Sequence, residues 1–167
     1  MSNQNLFIAI LSFSDHTEDF KANRMKMHDY ITPSGEIVWM IKGYQDSINP
    51  QTQSNETRTI QFYLPRTDVV GSRQLHPPLE IPEVMPDSAC YYRFEDSPDD
   101  EDKEVDTPYQ YPCTDGEILF MPPLHEHRMS GIFNFNVKNP PPDNGRFNIR
   151  GAFDVYGFDP AVDSRAS

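Results

Sequence analysis

The residues of sharpest chemical potential in this sequence are His125-Glu126-His127. On an extended strand, residues two apart point the same way, so both imidazoles could reach one divalent metal while Glu126 faces away. A third ligand would come from His76, His28 or a distant carboxylate. Asp99-Asp100-Glu101-Asp102 offers oxygen ligands of the kind calcium takes, but it lacks the Asp-x-Asp-x-Asp-Gly spacing and any internal Gly to fold them around an ion. Cys90 and Cys113 flank the acidic stretch that contains this run. A disulfide between them would close that stretch into a loop and restrict the unfolded chain; otherwise they are ordinary half-buried thiols acting as small hydrophobes. Neither lies in a nucleophile motif, and the chain has no Gly-x-Ser-x-Gly elbow, phosphate-cradling glycine loop or dinucleotide fingerprint.

The His-x-His triplet resembles the core of the cupin family, metal-binding β-barrels common among small all-β enzymes. The resemblance spans about ten residues and implies a divalent metal on His125 and His127, completed by a residue such as His76. The sequence departs from the cupin pattern after the triplet. Arg128-Met129-Ser130-Gly131 stands where a Glu would follow, and no His occurs beyond His127.

Aromatic side chains supply a second kind of site. Tyr91-Tyr92, Tyr109-Gln110-Tyr111 and Tyr156, with Arg150 nearby on the last hairpin, fall near strand ends or on outer faces. Tyrosine joins apolar area to a polar tip and is well suited to holding a sugar, a peptide or another protein. The structural alternative is that strand-rich proteins place tyrosine at half-buried positions anyway.

Positioning these groups requires a sheet. The chain has 167 residues, enough for one domain with a sizeable core. Sixteen prolines leave few windows for a long helix. The apolar residues come as Phe, Tyr, Ile and Val in short runs. The expected fold is an all-β, antiparallel β-sandwich of about seven to ten strands, with a small calycin-like or cupin-like barrel as the alternative. One domain over 1–160 would be followed by a polar tail at 161–167.

Strands are expected at 5–13, 26–31, 36–44, 58–64, 89–94 and 117–121. In the first, Leu6 to Leu11 is apolar on both faces, which suits a strand covered on both sides. That run is too short to span a bilayer and has no basic residue before it. Residues 15–23 read as one helical turn or a loop, 46–57 as polar loop, and 66–87 as a proline-rich irregular arm. The strongest pattern is the last hairpin. Met129, Gly131, Phe133, Phe135 and Val137 share one face of its first strand, and Phe147, Ile149, Gly151, Phe153 and Val155 one face of its second. Gly131-x-Phe133 and Gly151-x-Phe153 place each Gly on the inward face, where it makes room for a ring or lets the sheet bend.

The formal net charge is −12. From Glu95 to Asp106 there are eight carboxylates against Lys103, a net of −7, which reads as a solvated acidic surface loop at 95–106. A negative field disfavours nucleic acid and anionic membrane alike. It favours encounter with a basic protein partner. The expectation is a soluble, cytoplasmic, non-enzymatic binding or interaction module with no cofactor. The alternatives are a cupin-like metal enzyme and a barrel holding a small ligand among Phe133, Phe135, Phe147 and Phe153.

Overall fold

The computed structural model describes residues 5–31, 35–48, 50, 53–65, 71–77, 87–95, 109–121, 128–138, 145–156 and 159–163. They form β1 (Leu6–Ser12), β2 (Thr17–Lys21), β3 (Arg24–Ile31), β4 (Ile37–Ile48), β5 (Asn55–Pro65), β6 (Gly71–Leu75), β7 (Ser88–Glu95), β8 (Tyr109–Met121), β9 (Arg128–Lys138), β10 (Arg146–Tyr156) and β11 (Asp159–Asp163). No helix among the described residues is long and apolar enough to cross a membrane.

The protein is all-β. Its strands make one sheet in the order β11-β3-β4-β5-β7-β8-β9-β10-β1-β2, with β6 added alongside β8. Every pairing is antiparallel except β11 with β3. The sheet curls into a half-barrel whose two halves pack core to core, as in a sandwich, yet stay continuous through β8, as in a barrel. The N-terminal part of β8 pairs with β7 up to Pro112, and the rest pairs with β9 from Cys113 onward. Pro112 therefore sits where the strand changes partners, a place that tolerates a missing N–H. A bulge between Cys113 and Asp115 supplies the turn in direction.

The core is a cluster of rings contributed by both halves. Phe62 on β5 lies 5.0 Å from Phe133 on β9, 5.8 Å from Phe153 on β10 and 6.3 Å from Phe7 on β1, measured between centroids. Phe20 of β2 meets Phe7 edge-on at 6.1 Å. Gly43 on β4 makes this possible, because a Cβ there would stand 2.7 Å from the Phe7 ring. The last hairpin pairs as its alternation requires, with Gly131 opposite Phe153 and Gly151 opposite Phe133.

Several elements differ from the sequence expectation. Residues 17–21 form β2 rather than loop, because Phe20 alone anchors an edge strand whose other side chains face water. The β4–β5 hairpin runs further than expected, with Asp46 opposite Thr57 and Ile48 opposite Asn55. Asp46 ties it together, accepting from Thr57 Oγ1 at 2.9 Å and from Arg24 Nε at 3.1 Å. Residues 71–75 are β6 rather than irregular arm, and the strand expected at 117–121 is the end of β8, which begins at Tyr109. Part of the expected tail is β11.

Candidate functional site

Where β2, β4, β5, β7, β8 and β10 end together, the half-barrel opens into a cleft of about 570 Å³. One wall is aromatic. Phe13, just after β1, stacks on Phe147 with centroids 4.6 Å apart and on the His16 ring at 4.6 Å. Phe147 meets Tyr111 at 5.6 Å and Tyr91 at 5.9 Å, and the two tyrosines lie 5.4 Å apart. The registers account for this: Tyr91 stands opposite Tyr111 across β7 and β8, and Phe147 starts β10 beside them.

The adjoining part of the lining is charged. Arg58 and Arg93 are directly opposite one another on β5 and β7, a pairing of like charges that needs carboxylates to offset it. Arg93 Nε donates to Glu56 Oε1 at 3.2 Å. Arg58 donates to Gln45 Oε1 and to the Asp19 carbonyl at 3.0 Å, and its guanidinium lies 3.8 Å from Glu18 Oε2. The Arg58 side chain is only 14 % exposed, so this network is held inside the mouth of the barrel. Burial pushes the Tyr91 hydroxyl up to about 12 despite the neighbouring Arg58, and it remains a neutral hydrogen-bonding group at ordinary pH.

Of the residues singled out from sequence for a binding surface, only Tyr91 and Tyr111 come together here. Tyr92 lies one residue from Tyr91 and therefore points to the opposite face of the sheet, where burial raises its pKa. Arg150 is exposed on the outer face of β10, in the other half. Tyr109 and Tyr156 belong to β8 and β10, but their side chains lie outside the described residues, as do residues 96–106 of the acidic stretch. His125 and His127 lie outside the described residues too. His76 is exposed, and its backbone N–H donates to the Asp87 carbonyl at 2.8 Å. Among the described residues, no three His, Cys, Asp or Glu side chains are grouped to hold a metal. Of the four phenylalanines expected to line an inner cavity, Phe133, Phe135 and Phe153 are packed in the ring cluster, and Phe147 lines the cleft.

The disulfide considered from sequence is not formed: Cys90 and Cys113 are both buried and free. Cys90 is opposite Pro112, so Cys113, one residue further on, leaves the sheet on the other face. Burial pushes the Cys90 thiol up to about 11 and the Cys113 thiol up to about 12. Thiolate is the reactive form. Labelling of the native protein by an aromatic disulfide reagent at pH 8 is expected to be slower than labelling in denaturant by at least about two orders of magnitude, with both thiols reacting once unfolded. Rapid native labelling of either would show that its burial is wrong.

The cleft residues Phe13, Glu18, Glu56, Arg58 and Arg93 were not marked by sequence, and Phe147 was marked only as one of four rings around an inner cavity. No motif joins them, because they come from strands far apart in the chain. The available signal was Arg58 and Arg93, each on a strand, but their juxtaposition depends on the β5–β7 register.

No protein-family model, curated protein or solved structure matches this chain.

Proposed function

We propose that the protein is a non-enzymatic binding module whose recognition site is the cleft at the open end of the half-barrel, and that its ligand is a neutral, hydroxyl-rich ring such as a carbohydrate. The observation that carries this reading is the aromatic cluster of Phe13, Phe147, Tyr111 and Tyr91 adjoining a paired Arg–Glu network in one cleft of about 570 Å³. That volume lies within the usual range for small-molecule sites.

The charge balance of the site selects the ligand class. Arg58 and Arg93 would attract an anion, but Glu18, Glu56 and the Asp19 carbonyl share the same wall and would repel it. A cation meets the converse problem. A neutral polyol can accept from the guanidinium groups and donate to the carboxylates, while its apolar face lies on the rings. Because these charged groups already hold one another, a ligand would pay little to order them.

Saturation-transfer NMR with a panel of neutral hexoses and short oligosaccharides tests the proposal. At least one is expected to bind, and Tyr111→Ala is expected to weaken it about tenfold or more by removing one ring of the wall. Failure of every neutral sugar at millimolar concentration, or full affinity in Tyr111→Ala, would sink it.

A further inference from the structure

The outer face of the half built from β8, β9, β10 and β1 is not the polar surface that a single-sided antiparallel sheet normally shows to water. Ile8, Ala152, Ile132 and Leu119 lie directly opposite one another across β1, β10, β9 and β8, and so form one in-register row. Ile8 is 40 % exposed, Leu119 40 % and Ile132 51 %. Leu6 and Ile10 on β1 and Met121 on β8 widen the row and are exposed as well. The apolar pattern of β1 calls for cover on both sides, yet the fold covers only Phe7, Ala9 and Leu11. Contiguous exposed apolar surface of this kind marks an interaction site.

We infer that this face is where two copies of the chain pair, sheet on sheet, about a two-fold axis running along the Ile8–Ala152–Ile132–Leu119 row. The argument for a second copy is the charge pattern on either side of the row. One residue pair away along the strands, Ile10 is opposite Arg150 and Arg150 opposite Asn134. On the other side, Leu6 is opposite Asp154 and Asp154 opposite Ser130. Rotation about the row exchanges these two sides. It sets Ile10 on the partner's Leu6, Asn134 on the partner's Ser130 and Arg150 on the partner's Asp154, each contact occurring twice.

Arg150 is exposed and has no ion-pair partner among the described residues, so it is free to take this one. Both Asp154 carboxylate oxygens already accept from Arg128, at 2.8 and 2.7 Å, which fixes the carboxylate in place while each oxygen keeps a further lone pair. The charges around the row, Lys21, Arg128 and Arg150 against Asp19, Glu117 and Asp154, balance, whereas the whole chain carries −12. Two copies therefore approach through this face with less repulsion than through an average one. Aligned packing of two antiparallel sheets is a standard way to bury such faces.

Sedimentation velocity of the full chain across the micromolar range tests the inference. A dimer is expected. Ile132→Asp is expected to make it monomeric, and Arg150→Glu to weaken it at least tenfold at low salt by setting acid against acid. Ile48→Asp, at the cleft end, is expected to leave the dimer intact. A wild-type protein that stays monomeric throughout would overturn the inference, as would a dimer indifferent to both Ile132→Asp and Arg150→Glu. Should Ile132→Asp fail to fold, Arg150→Glu at its exposed position decides alone.

Discussion

Gly151→Ala is expected to destabilise the protein by about 3 kcal/mol or more, at the upper end of what overpacking a core costs. Gly151 lies inside β10, where β1 crosses closest. A Cβ built there would stand 2.1 Å from the Ile8 carbonyl oxygen and 2.7 Å from the Ala9 Cα. Both obstacles are backbone, so no side-chain rotation relieves them. The β1–β10 ladder would have to part, and β1 carries Phe7, 1 % exposed at the centre of the ring cluster. Gly131→Ala is the graded control. Its Cβ would meet the Leu119 carbonyl oxygen, also backbone, at 2.9 Å and the Phe153 ring at 3.4 Å, so β8 must give way too, but by much less than β1 must at Gly151. Urea midpoints should therefore fall in the order wild type, Gly131→Ala, Gly151→Ala. A Gly151→Ala protein as stable as Gly131→Ala would mean that the close approach of β1 and β10 is not what limits this position.

The two glycines also show how much of the fold the sequence displays. Their inward facing was legible from the alternation of Phe133, Phe135 and Phe153 around them. What each makes room for was not, because Gly131 and Gly151 look alike in sequence. The difference lies in which strand passes behind them. The long period-two patterns marked both strands of the last hairpin, β9 and β10, and marked β5 from Arg58 to Leu64 but not its polar start. Those that escaped notice sit at edges or carry a single inward anchor: Phe20 in β2, Leu75 in β6. A strand paired on one side with one buried residue needs no alternation that can be recognised. Pro112 and the Asp115-Gly116 pair hid most of β8, since both are normally breakers. Here they occur at a partner change and a bulge.

The cleft was legible only in part. Tyr91 and Tyr111 stood out by type, but nothing in their spacing separated them from Tyr92, which faces the other way. The apolar row across the outer face was half visible, in the two-sided hydrophobicity of Leu6 to Leu11. Its continuation through Ala152, Ile132 and Leu119 exists only once three registers are fixed.

Raising the pH from about 8 to about 11 is expected to remove on the order of 5 kcal/mol of folding stability, enough to unfold a protein of ordinary marginal stability. Two core thiols and Tyr91 drive it, and the half-buried Tyr63 and Tyr92 hydroxyls, also raised by burial, add to the loss above pH 10. Burial holds the Cys90 thiol at about 11, the Cys113 thiol at about 12 and the Tyr91 hydroxyl at about 12, against ordinary values of 9.0, 9.0 and 10.0. Each is raised in the folded state, so its contribution is fully present below the unfolded value. Above that value the unfolded chain loses protons that the folded chain retains, and stability falls until the folded value is passed. The loss therefore begins near pH 9, with the cysteines, and steepens above pH 10 as Tyr91 joins. The Asp115 carboxylate, and to a smaller degree a negative Cys90, raise Cys113 further. Urea denaturation under reducing conditions at pH 8, 9, 10 and 11 measures the slope. The Cys90→Ala, Cys113→Ala double variant separates the cause: it starts less stable for lost packing, but its stability should stay nearly level up to about pH 10. A wild-type stability that is flat through pH 11 would show that these groups ionise without opening the core, and would place them nearer to solvent than the fold does.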